Sequence, residues 1–348
     1  MVSEKKPANK TVKKAASKTS VKSKSKKAAT KKTSSKSKSV KSTKPKVLIT
    51  GISGRLGRLL AKSLHRIAEV HGVDRRPFVG CPKDIVVHNL DIRKKRCENL
   101  FRNGNYQAVY HLGIMHNPRQ SVDDHHSFNV TGTMKILDYC HKYNVPKVVL
   151  LSSATIYGPH PTNHVYLTED SPLLAGQGFP QIRDLIELDM LGQSFFWKNS
   201  EIETVILRPV QIVGPNIQNA FTNYLRLKTI PRLLGFDPMT QTIHQNDMVK
   251  ALVLAMKPGV KGIFNITGNS AAPLSEIIKL LGKRSFPVPH PLAKFAMNRL
   301  WQLKLSDFPA PEVDYARFIC TVDGTRARKI MGFEPEYSMK ETILSLLE

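Results

Sequence analysis

Three glycines, Gly51, Gly54 and Gly57, follow a short apolar run from Lys46 to Thr50 and lead at once into an amphipathic segment. Residues without a Cβ at that spacing let backbone N–H groups close on a pyrophosphate at the positive end of a helix. Arg55 and Leu56 lie within the same turn. An acid, Asp74, ends the next apolar run, at the distance where a carboxylate accepts hydrogen bonds from a ribose. The order strand, glycines, helix, strand, acid predicts a dinucleotide site. Asp74 favours NAD; its neighbours Arg75 and Arg76 keep NADP as the alternative, because guanidinium grips a 2′-phosphate.

Elements must exist to hold such a site. Apolar β-branched runs recur at 46–50, 69–73, 84–89, 107–113, 147–152 and 203–207, with helical segments near 54–67, 93–103, 119–143 and 182–199 between them. This alternation predicts an α/β fold of the Rossmann type: a doubly wound parallel sheet with helices on both faces. Beyond Pro209 prolines and glycines break the chain into short pieces. A strand near 240–244, a helix near 247–256 and a strand near 262–266 are expected to join the main sheet. The remainder, including 290–304 and a last helix at 338–348, reads as a smaller interleaved C-terminal substrate lobe roofing the carboxyl ends of the strands. The boundaries read as 1–45 for a tail, 46–210 for the dinucleotide-binding domain and 211–348 for the lobe.

The chain has 348 residues and a formal charge of +26, spread unevenly. Residues 1–45 hold 16 lysines against one acid, Glu4, with 15 serines and threonines and no aromatic residue. Such a segment buries too little apolar surface to offset its ordering entropy and is expected to be disordered. It lacks the apolar core of a secretory signal and the arginines of a transit peptide. Its Lys/Ser/Thr/Ala texture is similar to linker-histone tails, which neutralise phosphate without reading sequence; a solvated tail making only incidental polyanion contacts is the other reading. The four cysteines form no C-x-x-C pair, the histidines form no ligand set, and no apolar run approaches the length of a membrane span. The expectation is a soluble cytoplasmic protein without a metal, associated with the nucleoid if the tail binds DNA.

From Lys46 onward the motifs resemble the extended short-chain dehydrogenase/reductases, the NAD-dependent epimerase and dehydratase group. The residues that carry the likeness are the glycine turn, Asp91-Ile92, Tyr110-His111-Leu112-Gly113, Asn129 in N-x-x-G-T, Leu151 through Gly158 in S-S-A-x-x-Y-G, Leu207-Arg208-Pro209 through Pro215, and His244 through Asp247. The resemblance implies that Asp91 and Ile92 contact the adenine, that Leu112 and Gly113 line the cofactor path, and that Asn129 braces the helix behind the site. It implies that Ser153 hydrogen-bonds the reacting oxygen, that Gln211 and Tyr224 face the substrate, and that the substrate is a nucleotide sugar or related polar alcohol. It further implies a homodimer through 119–143 and 182–199.

The sequence departs from that group at its proton-transfer pair, Y-x-x-x-K. Phe179 and Arg183 stand at the two places, and neither exchanges a proton at neutral pH. The literal pair Tyr143/Lys147 contains Pro146, and Tyr224/Lys228 falls after the sixth strand. Tyr157 and Tyr166 are further candidate phenols; Asp184 and Glu187 are candidate bases. Two readings follow: an atypical enzyme with a displaced proton donor, or an inactive dinucleotide sensor tethered to nucleic acid by its tail.

Overall fold

The computed structural model describes residues 44–115, 120–177, 180–303 and 310–348. The expectations for the tail, and for Phe179, lie outside the described residues, apart from Lys44 and Pro45. These two are already attached to the fold: the Pro45 carbonyl accepts from the Glu69 amide at 2.9 Å.

The first half alternates as its pattern demands. β1 (Lys46–Thr50), α1 (Arg55–Leu64), β2 (Glu69–Asp74), β3 (Val86–Asn89), α2 (Arg96–Gly104) and β4 (Ala108–His111) come first. Next, α3 (Val122–His126) passes through one π turn, Ser127–Thr131, into α4 (Gly132–Lys142). β5 (Lys147–Leu151), α5 (Pro180–Lys198) and β6 (Glu203–Pro209) complete this half.

The second half holds β7 (Gln211–Val213), α6 (Ala220–Leu225), β8 (Thr229–Leu233), β9 (Met239–His244), α7 (Gln245–Ala255) and β10 (Gly262–Ile266). β11 (Ala271–Pro273), α8 (Leu274–Leu280), β12 (Arg284–Val288), α9 (His290–Gln302) and α10 (Met339–Leu344) follow.

Seven strands form one parallel sheet in the order β10-β6-β5-β4-β1-β2-β3. Strand alternation sends Val47 and Ile49 to one face and Leu48 to the other. The first face packs on Leu60 and Leu64 of α1 and Met248 and Leu252 of α7; the second packs on Phe101, Ile136, Leu137 and Phe195. Sequence order reverses between β1 and β4, so a crevice opens at their carboxyl ends.

One expectation fails. The strand at 239–244 does not join the main sheet; β9 pairs with β7 and β11 in a separate three-stranded sheet. The position beside β6 goes to β10, whose Ile263, Phe264 and Ile266 are apolar toward both helical layers. The run Met239-Thr-Gln-Thr-Ile-His244 carries polar groups that a sheet covered on both faces would leave without water. β8 and β12 form a parallel pair in the lobe, and a further core links α6, α8 and α10 through Leu225, Ile277 and Ile343.

Candidate functional site

The glycine turn is built for close approach. Gly51 has φ +72°, and a Cβ there would lie 2.7 Å from the Gly113 Cα, so the mouths of β1 and β4 touch. At Gly57 a Cβ would fall 2.3 Å from the Gly51 carbonyl oxygen. Gly54 is the N-cap of α1, which has no side-chain cap and no acid in its first turn. Its amides and positive end therefore face outward without an internal anion, the arrangement that receives a diphosphate.

Asp74 closes β2 beside this turn. Its Oδ2 accepts from the Ser53 amide at 3.1 Å and its Oδ1 from the Arg76 amide at 2.9 Å and Arg76 Nε at 3.3 Å. Arg76 Nη2 adds a fourth donor to Oδ2 at 3.5 Å, so the roughly four lone-pair positions of the carboxylate are taken and a ribose hydroxyl displaces the exposed Arg76 side chain. The residues present fit a dinucleotide. Arg55 reaches out of the turn to the Asn216 carbonyl, and Leu56 is half-buried. Arg75 lies 4.7 Å over the Phe128 ring and 3.8 Å from Asp91. Asp91 is engaged by Arg93, at 2.8 Å through Nη2, and Ile92 is buried.

A fully satisfied polar thread runs behind the crevice. His111 is wholly buried, its Nδ1 2.7 Å from Thr50 Oγ1 and its Nε2 2.8 Å from Thr133 Oγ1. The Thr133 hydroxyl donates onward to the Asn129 carbonyl, so it accepts from Nε2–H, and Nδ1 accepts from Thr50. Burial lowers this imidazole to about 4, which keeps it neutral. Asn129, carried by the π turn, holds the Met115 backbone at both ends: Oδ1 accepts from its N–H at 2.7 Å and Nδ2 donates to its carbonyl at 3.1 Å. Asn129 thus fastens the segment after β4 rather than a helix.

Ser153 follows the end of β5 and caps a short 3-10 turn, Ala154–Tyr157, by accepting from the Thr155 amide at 3.2 Å. Its Oγ is 2.8 Å from Thr155 Oγ1. Register places this edge beside the other mouths, with Thr50 opposite His111 and His111 opposite Leu150. Tyr157 is not available for proton transfer. It is fully buried, receives a hydrogen bond from Arg208 Nη1 at 2.7 Å, donates to Asn265 Oδ1 at 2.8 Å, and burial pushes it up to about 12.

That Arg208 also forms a two-pronged pair with Asp189 of α5, Nε–Oδ2 at 2.9 Å and Nη2–Oδ1 at 2.7 Å. Both side chains are buried, so each is the other's charge partner in place of water, and removing one leaves the other charge stranded. Sequence reasoning singled out neither role, because the partners lie 19 residues apart on different elements.

The lobe closes over this edge. Gln211, Tyr224, Ala154 and Thr155 all line one cavity of about 930 Å³. The ring of Tyr224 faces it, but its hydroxyl is bound to the Pro231 carbonyl at 2.8 Å and burial raises its pKa, so it does not replace the lost pair. Another phenol reaches the site unannounced: Tyr315, half-buried in the cavity wall, donates to the Thr155 carbonyl two residues beyond Ser153. No local pattern reveals it, since 160 residues separate donor and acceptor.

The other candidates point elsewhere. Tyr166 is exposed. Tyr143 donates to Glu98, and Lys147 is buried against Glu203, so these two form no helical pair. Arg183 is exposed on α5. Asp184 and Glu187 turn to α3, where His126 Nδ1 lies 3.0 Å from Asp184 and 3.9 Å from Glu187. Asp184 holds that imidazole above its usual pKa; these acids tie two helices together.

Residues 47–267 match the NAD dependent epimerase/dehydratase family. A UDP-glucose 4-epimerase of Bacillus subtilis is 29% identical over 313 residues, covering 81% of this chain and 83% of that protein. Among solved structures, the UDP-glucose 4-epimerase of Thermotoga maritima with UDP-glucose superposes with a TM-score of 0.69 at 18% identity, covering 87% of this chain and 97% of the other. The UDP-glucuronic acid 4-epimerase of Bacillus cereus, in complex with UDP-glucuronic acid and NAD, gives 0.67 at 18% identity, over 86% and 97%. Glycine turn, parallel sheet and family match together establish that the chain belongs to the NAD dependent epimerase/dehydratase family.

Proposed function

We propose that the chain is an NAD-dependent oxidoreductase acting on a nucleotide sugar or a related alcohol, with its proton-transfer hydroxyl displaced from the family's usual place. The observation that carries this reading is the common edge: an uncapped helix end with three glycines, Asp74 and the Ser153 turn all open at the carboxyl ends of adjacent strands. Gly51, Gly54 and Gly57 admit the diphosphate; Asp74 takes the adenosine ribose; Arg75, Asp91, Ile92, Leu112 and Gly113 line the remaining path. NAD, when bound, accepts or returns hydride at its nicotinamide.

The chain's own groups handle the oxygen and the proton. Ser153 Oγ, held by Thr155, hydrogen-bonds the substrate oxygen and fixes its distance from the hydride path. Tyr315 is assigned the proton exchange on its position: it is a half-buried phenol in the cavity wall, anchored to the Thr155 carbonyl two residues beyond Ser153, whereas Tyr157 is fully buried. Gln211 supplies a polar contact from the lobe. Pairing of two copies through α4 and α5 belongs to the same proposal, supported by exposed Met190 and Trp197, seven residues apart on one stripe of α5.

The direct test is NADH binding followed by fluorescence. Wild-type protein is expected to saturate, and Gly54→Val, which places a side chain over the outward-facing amides, to bind at least tenfold more weakly. Equal affinity in the variant overturns the assignment of the cradle.

A further inference from the structure

The cavity beneath the lobe has a chemical character that narrows the substrate class, and this step rests on the function proposed above. Its wall is apolar over most of its extent, with Phe221, Leu233, Phe286, Val288, Met297 and Phe318 contributed by five different stretches of the lobe. Arg232 is the single formally charged residue among the described lining, and its guanidinium already meets Ser285 at 3.1 Å and Asp237 at 3.9 Å.

Most lining polar groups are also spoken for. Gln241 is bound at both ends to the Val322 backbone, at 3.0 and 2.8 Å, and the Tyr224 hydroxyl to Pro231. Of the other polar lining groups, Thr155 stands beside Ser153, Gln211 lines the same cavity, and Asn223 on α6 adds a second amide. A nucleoside diphosphate sugar carries two negative charges, and Arg232, already engaged by Ser285 and Asp237, is the single cation of the described lining to meet them, so desolvating both against this wall is unfavourable. An apolar body in the same space gains roughly 25 cal/mol for each Å² it removes from water.

We infer that the substrate of this chain is an alcohol or ketone on a largely apolar skeleton, its oxygen at Ser153 and its body under α9. The volume of about 930 Å³ accommodates a fused-ring or long-chain molecule rather than a short alcohol. α9 supports the same reading: Leu292 and Ala296 form part of the wall, while Phe295, on the same helix, is 59% exposed.

The experiment uses the full chain and the neutral fluorophore N-phenyl-1-naphthylamine as probe. Saturable binding of one probe per chain is expected, with displacement by 2-dodecanol and none by millimolar UDP or UDP-glucose. Ala293→Trp, which fills the cavity from α9, is expected to weaken the probe at least tenfold while NADH affinity stays within twofold. Displacement by UDP-glucose, or absence of saturable probe binding to the wild type, overturns the inference. NADH titration of the same samples reads the dinucleotide site separately, so failure there falls on the proposed function and leaves the cavity result standing.

Discussion

Asp74 serves two structures with one carboxylate. Its bond to the Ser53 amide fixes the glycine turn before any ligand arrives, and its other lone pairs are held by the Arg76 amide and guanidinium. Arg76, mostly exposed, lies against it and must move aside for a ribose or hold a 2′-phosphate. At the reacting end, Tyr315→Phe is expected to lower kcat at least 100-fold with little change in NADH affinity, whereas Ser153→Ala lowers kcat/KM on the order of 10²-fold. Stopped-flow reduction of NAD separates the two, since only the Tyr315 variant flattens the pH profile. His111 predicts a pH dependence of stability instead. Its folded value of about 4 lies below the ordinary 6.5, so its contribution is full above pH 6.5 and is lost as pH falls toward 4. Unfolding free energies from urea titrations are expected to fall across that window by up to about 3 kcal/mol, with His71, His88 and His244, also lowered by burial, acting in the same direction.

Elements explain why part of this was readable in the chain and part was not. The glycine turn, the strand beginnings and the Asn129 segment are local patterns, each with its period and punctuation in one stretch. β10 and β9 were not separable that way, because which run joins the sheet depends on burial of both its faces. Asp189 and Tyr315 were invisible for a related reason: each acquires its role from a partner on a distant element. The Arg208–Asp189 pair joins β6 to α5, and Arg208 also holds the Ser153 loop through Tyr157 and the Glu169 carbonyl. Asp189→Ala leaves a buried guanidinium with its main partner gone. It is expected to cost about 3–5 kcal/mol in chemical denaturation, and Arg208→Lys, which keeps the charge but loses the fork, to destabilise by less.

Across the whole molecule, charge is spread unevenly along the chain. Of the 16 lysines of residues 1–45, Lys44 lies among the described residues. Removing residues 1–43 is expected to abolish retardation of duplex DNA at low salt and to leave NADH binding unchanged; a shortened chain that still retards DNA places the contact elsewhere. Among the described residues no helix is long and apolar enough to cross a membrane.

The seating of β10 beside β6 has a practical consequence. Chain that departs the central layer at Pro209 comes back to finish it at Gly262, and Leu167 bridges to Val322 nearer the terminus. Genetic separation at residue 210 would hence strip a hydrogen-bonding border from the amino-terminal fragment, exposing β6 as a template for foreign strands. Such a fragment should precipitate unless its missing counterpart is synthesised alongside it.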